Sequence, residues 1–146
     1  MRLYRGFSDF VDSKILENGY LKTPRKPRDS HTYVHKVADD WFENKFGVKA
    51  RSQTIFCTPD IEQAAEYGKP YELSIPQTLD VKLIFSIDVK DFIEIERDIC
   101  DVNCKEEIIN WLESKSYLMV TSSLKLPINF DGEVMLYCEK YEVSEV

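Results

Sequence analysis

The sequence predicts an α+β fold in a single domain, 1–146, and three observations carry that expectation. The chain has 146 residues, 43% of them hydrophobic and 31% charged, the length and composition of one globular unit that can bury a core with a cleft cut into it. Two segments, Thr32 to Phe46 and Cys104 to Ser114, repeat their apolar residues at helical spacing, whereas several shorter segments run apolar or alternate with a period of two. No internal repeat, linker or second domain breaks the chain, and its helices are expected mainly in the N-terminal half.

Arg2 to Arg5 reads as a short first strand. Ser8 or Asp9 is then a candidate cap for a helix with Phe10, Val11, Ile15 and Leu16 on one side, ended by Asn18-Gly19. Tyr20 and Leu21 lead into Lys22 to Arg28, where two prolines and four cations make a solvated loop the default reading, with binding of a ligand's phosphates or of a target as the alternatives. Between Thr32 and Phe46, the residues Val34, Val37, Ala38, Trp41, Phe42 and Phe46 form one apolar face, and Gly47 supplies the stop. On that helix His35, Trp41 and Phe42 are assigned to packing, and Asp39 and Asp40 to solvent. Thr54 to Cys57 suits a buried strand, after which Thr58-Pro59-Asp60 caps a short helix, Ile61 to Tyr67, ended by Gly68. Tyr71 to Ile75 and Val81 to Ile87 read as strands. Cys104 to Ser114 reads as a helix through Ile108, Ile109, Trp111 and Leu112, and Tyr117 to Thr121 as a further strand. Glu133 to Val143 alternates through Val134, Leu136, Cys138 and Tyr141, with its phase slipping near the end, and is expected as one long final strand.

Charge and composition exclude several function classes. Nineteen Lys and Arg against 26 Asp and Glu give a net charge of -7 and a pI near 4.9, so a nucleic-acid partner would need a local basic patch. The apolar run from Val81 to Phe85 is far below the roughly 18 to 20 residues of a membrane span, and Met1 to Gly6 shows no apolar signal segment. A cytoplasmic protein without a membrane partner is the expectation. Cys57, Cys100, Cys104 and Cys138 are too few and scattered for a disulfide framework and are read as reduced thiols. With His31 and His35 far upstream of the Cys100/Cys104 pair, no metal site is expected. Five glycines form no GxGxxG, P-loop or kinase loop, and no serine sits in a GxSxG elbow.

Three short segments carry candidate chemistry. Leu3-Tyr4-Arg5-Gly6 ends a strand in a cation followed by a residue whose backbone can approach a ligand closely. Ile55 to Gly68 runs from a strand into a helix with Ala64, Ala65 and Tyr67. Asp131-Gly132-Glu133 puts carboxylates at the start of an apolar strand. In this order, and over nearly the whole chain, they resemble the ADP-ribosyltransferase superfamily, in which three dispersed elements build one NAD cleft. Arg5 is similar to the cholera-toxin-like branch. Phe56, Thr58, Ala64-Ala65 and Tyr67 look more like the diphtheria-toxin-like and poly-ADP-ribose-polymerase-like branch, so the motif set is a mixture, without a clear Ser-Thr-Ser.

The resemblance implies an ADP-ribosyltransferase-like fold, a split mixed β-sheet with the NAD cleft between the sheets. It gives Glu133 the catalytic place, where a fixed carboxylate stabilises the positive charge that develops on ribose as the nicotinamide bond breaks. Asp131 stands where arginine-modifying relatives carry a second acid and is assigned to the acceptor. The Gly6 backbone would pair with the nicotinamide amide, Phe56 and Tyr67 would sandwich its ring, and Arg5 would orient phosphates or the adenosine ribose. Thr58 belongs to the same cofactor-binding set, and Ser52 and Thr54 are candidates for the missing hydroxyls. NAD is thus expected as a substrate, with no metal, and ADP-ribose passes to a macromolecular target, a protein rather than a nucleic acid. A bacterial toxin with an antitoxin, or a phage enzyme acting on host proteins, fits by analogy. NAD hydrolysis, RNA-directed 2'-phosphotransfer and a catalytically silent binding module are the alternatives.

Overall fold

The computed structural model describes residues 1–28, 31–76 and 80–146. Helix α1 spans Thr32–Phe46, and its limits follow from chemistry at both ends. The His31 side chain accepts a hydrogen bond from the Tyr33 N–H, and Gly47, at φ 78°, takes the left-handed conformation that closes the last turn. Helix α2, Ile61–Ala65, is started by Asp60, whose carboxylate accepts from the Glu62 and Gln63 N–H groups, and it stops two residues short of Tyr67. Helix α3, Glu94–Asp98, was not expected; it buries Ile95 fully, and its Asp98 carboxylate accepts from the Trp111 indole at 2.9 Å. Helix α4, Lys105–Ser114, packs Ile108, Trp111 and Leu112 inward. Helices are thus shared between the two halves of the chain rather than gathered in the first. No helix among the described residues is long and apolar enough to cross a membrane.

Among the described residues, eight strands form two four-stranded sheets. The first has the order β1 (Leu3–Phe7), β4 (Lys69–Ser74), β8 (Lys140–Glu145), β2 (Ile15–Glu17), and the second β3 (Ile55–Cys57), β7 (Val134–Tyr137), β5 (Lys82–Phe85), β6 (Leu118–Val120). Every pairing among the described residues is antiparallel, so the α+β class holds while the expected mixed sheet does not. Parallel neighbours need a crossover that lays a helix on the sheet; here strands adjacent in space run in opposite directions.

The expected long strand from Glu133 to Val143 is two strands in different sheets. Val134, Leu136 and Cys138 occupy even positions and Tyr141 and Val143 odd ones, so an unbroken strand would aim the two sets at opposite faces. A break at Cys138-Glu139 lets all five enter the same core. The expected helix from Ser8 to Leu16 is also absent. Only Val11 and Ile15 in that stretch have helical i, i+4 spacing, Phe10 is 87% exposed, and Ile15–Glu17 instead pairs with Lys140–Glu142. Asn18 holds this edge in place by donating from Nδ2 to the carbonyls of Gln53 (2.9 Å) and Cys138 (3.0 Å).

The second sheet is covered on both faces. Ile84 and Met135 face the helices, in a core with Val34, Phe42, Ile108 and Trp111. Leu83, Phe85, Val134 and Leu136 face the first sheet and meet Leu3, Leu73, Tyr141 and Val143. The sheets also touch through backbone, since Tyr4 and Thr58 exchange two N–H···O bonds of 2.8 and 2.9 Å. That contact sets the first half of β1 against the end of β3.

Candidate functional site

Where β1 meets β3 a cavity of about 620 Å³ opens. Its walls are β1, the end of β3, α2 with Tyr67, the loop from Thr23 to Arg28, and His35, Arg51, Asp91, Ile93 and Glu133. The close approach of α2 to β1 depends on two glycines. A Cβ on Gly6 would run into the Ala64 carbonyl, and one on Gly68, at φ 138°, would run into the Phe7 backbone. Without side chains there, the end of α2 lies directly on β1 and brings Ala64 and Tyr67 to the cavity.

Six residues singled out in the sequence share this lining: Arg5, Gly6, Phe56, Thr58, Tyr67 and Glu133. Arg5 donates from Nη1 to the Phe56 carbonyl at 3.0 Å. Glu133 immediately precedes β7; its N–H donates to the Lys90 carbonyl, and its side chain, 15% exposed, is ion-paired with Arg51. Tyr67 is 52% exposed at the rim and donates its hydroxyl to Asp91 at 2.9 Å. The Thr58 hydroxyl donates to the Asp131 carbonyl and accepts from the Asp60 N–H. The Phe56 ring is occupied on its π-system: the guanidiniums of Arg25 and Arg51 lie 3.8 and 4.2 Å from its centroid. Ser52 and Asp131 are not part of the lining. Ser52 is buried with its N–H on Asp39, and the Asp131 carboxylate, 67% exposed, pairs with Lys90 at 3.3 Å.

Arg51, and the packing of Arg25 onto Phe56, are the main features that sequence reasoning missed. Part of the expected solvated loop folds back: Arg25 donates its N–H to the Ser52 carbonyl and Nη2 to the Thr54 carbonyl, both at 2.8 Å, and lies over the Tyr20 ring. Arg51 sits between the rings of Phe56 and Phe92, with Nη1 on Glu133 and on the Met135 sulfur. Its backbone is held by Asp39, which is buried rather than solvent-facing. Asp39 Oδ1 accepts from the N–H groups of Arg51 (2.8 Å) and Ser52 (3.1 Å), and Oδ2 lies 3.5 Å from His35 Nε2. One signal for this existed: His35 and Asp39 are four apart in a helix and therefore share a face.

Electrostatics follow from this crowding. Burial, with Arg5 and Arg51 close by, brings the Arg25 guanidinium down to about 10, although Tyr20 opposes the shift. Burial also lowers His35 below its ordinary 6.5, Asp39 opposing and Arg51 adding to the fall. The Nε atoms of Arg5, Arg25 and Arg51 are buried and lack a hydrogen-bond partner among the described residues. Among those residues no group of three or more His, Cys, Asp or Glu is arranged to hold a metal ion. Chemically, the cavity offers a fixed carboxylate, a cationic wall and an aromatic rim.

Neither a family model, nor a curated protein, nor a solved structure matches this chain.

Proposed function

We propose that the cavity binds NAD and that the protein transfers ADP-ribose from it to a macromolecular acceptor. The observation that carries this reading is the convergence of Arg5, Gly6, Phe56, Thr58, Tyr67 and Glu133, from three distant stretches of sequence, on one cavity lining. A cavity of about 620 Å³ lies within the usual range for small-molecule and cofactor sites.

In this reading Glu133 stabilises the oxocarbenium-like ribose as nicotinamide leaves, a role that needs a carboxylate held in one place. The Arg51 guanidinium fixes it from one side and the Glu133 N–H, on the Lys90 carbonyl, from the other. Tyr67, anchored through Asp91, provides the ring face at the rim for nicotinamide. Phe56 instead seats Arg25 and Arg51. Asp131 stands outside the lining, so acceptor positioning falls to the rim as a whole rather than to that carboxylate alone.

Incubation with NAD labelled in its adenylate half and a cell lysate, followed by separate protein and nucleic-acid digestion, tests the proposal. Label bound to one macromolecular fraction is expected. Free ADP-ribose alone would replace transfer by hydrolysis, and intact NAD would overturn the reading.

A further inference from the structure

Lys90 and Asp91 lie in an irregular stretch before α3, yet all their polar groups are engaged. Glu94 Oε2 accepts from both of their N–H groups, at 3.0 and 2.8 Å, and the Asp91 carbonyl accepts from the Glu94 N–H. The Lys90 carbonyl accepts twice, from Gln63 Nε2 and from the Glu133 N–H, each at 3.0 Å. The Lys90 ammonium pairs with Asp60 at 3.0 Å and with Asp131 at 3.3 Å, and the Asp91 carboxylate accepts from the Ile93 N–H and the Tyr67 hydroxyl. Asp60, Gln63 and Tyr67 belong to α2 and its flanks, at spacings of three and four, so they share one face of that turn. Asp131 and Glu133 belong to the segment that leads into β7. Two adjacent residues thus anchor both the ring of Tyr67 and the backbone of Glu133.

We infer that Gln63 is a positioning residue for Glu133: by holding the Lys90 carbonyl it sets where the Glu133 backbone stands relative to Tyr67. The inference rests on the proposed function in taking Glu133 as the acting carboxylate and Tyr67 as the ring face. The buried contact carries it. The Lys90 side chain is 51% exposed, and ion pairs of that kind contribute little. Gln63 is only 9% exposed; it lines the cavity with its amide nitrogen turned to Lys90, and losing it leaves the carbonyl one donor short. Arg51 fixes the far end of the Glu133 side chain, while Gln63 fixes the near end through Lys90. Gly132 leaves no slack between the two segments, since a Cβ there would run into the Val89 carbonyl.

Steady-state nicotinamide release from NAD and an amide-resolved NMR spectrum, both on the full chain, test this with two variants. Gln63→Met keeps the length and loses the donor, so kcat should fall about tenfold or more while the KM for NAD changes by about twofold at most, the pattern of a misplaced acting group. Gln63→Glu sets a carboxylate against the Lys90 carbonyl. Its kcat, relative to wild type at the same pH, should be low near neutrality and recover as the pH falls, because the protonated acid donates again. The Glu133 amide resonance should move in both variants. Glu62→Gln, an exposed change on the same helix, should alter neither the rate nor that resonance. A folded Gln63→Met protein with wild-type kcat, a defect confined to KM, or an unmoved Glu133 amide would overturn the inference. A wild-type chain that releases no nicotinamide would instead remove the proposed function, and the Glu133 amide alone would then decide whether Gln63 positions it.

Discussion

Replacing Asp39 by alanine should both destabilise the protein and disarm its cavity, because one carboxylate oxygen holds the turn that carries Arg51. Oδ1 accepts from two backbone N–H groups, those of Arg51 and Ser52, at 2.8 and 3.1 Å. Truncation leaves both donors buried and unpaired, at about 1–3 kcal/mol each. A total of about 2–6 kcal/mol follows, or a fall in Tm of about 4–24 °C at roughly 2–4 °C per kcal/mol for a chain near this size. Asp39→Asn retains an acceptor oxygen and should recover about half. Urea unfolding gives the free energy, and nicotinamide release from NAD on the same samples, at a temperature where both are folded, gives the activity. The account requires the release rate to fall with Asp39→Ala beyond any unfolded fraction, since Arg51 no longer fixes Glu133. A variant within about 0.5 kcal/mol of wild type, the range of an ordinary surface change, or one that is destabilised yet releases nicotinamide at the wild-type rate, would refute this chain of support.

Three further outcomes are expected. Gly6→Ala should lower stability by about 1–3 kcal/mol or more, as an overpacked contact does, because its Cβ meets the Ala64 carbonyl; a melting temperature equal to wild type would show that α2 can shift without loss. Tyr67→Ala should weaken NAD binding more than Tyr67→Phe in calorimetric titration, since the ring face outweighs the hydroxyl; equally small effects would return Tyr67 to a purely structural place beside Asp91. His35 has its folded value below the ordinary 6.5, so the unfolded chain takes up the proton first and stability declines as pH falls from about 6.5 towards the lower folded value. His35→Gln should flatten that part of a stability profile, and an unchanged slope would contradict the half-buried neutral imidazole.

Legibility in the sequence followed how local each determinant was. The limits of α1 were readable because a face of six apolar residues and a following glycine are set within one helix. Cys104 to Ser114 was readable for the same reason. The failure at Ser8 to Leu16 came from a pairing partner more than a hundred residues away, since β2 exists through β8 and the Asn18 clamp. The split between β7 and β8 was present as a slip of phase, but a change of sheet depends on what lies on either side of the strand. In the site, Arg5, Phe56 and Glu133 stood on strands or at their ends, where pattern gives position. Arg25 and Arg51 stood in irregular segments, where no period exists, and a loop of four cations gives no sign that one of them folds back onto an aromatic ring. Asp39 was misplaced because its helix position resembled that of exposed Asp40; the N–H groups it serves belong to a turn formed only in the tertiary structure.

The central claim is that Glu133 acts on the bond between nicotinamide and ribose, and the direct measurement is the initial rate of nicotinamide release from NAD by the purified wild-type chain and by Glu133→Gln. The amide keeps the shape and loses the charge, so the fold and most NAD affinity should persist. The account predicts steady release by the wild type and a loss of about 10²-fold or more in the variant, the scale of removing one electrostatic group from a transition state. Wild-type turnover in a folded Glu133→Gln protein, or no release by the wild type with NAD bound, would contradict it.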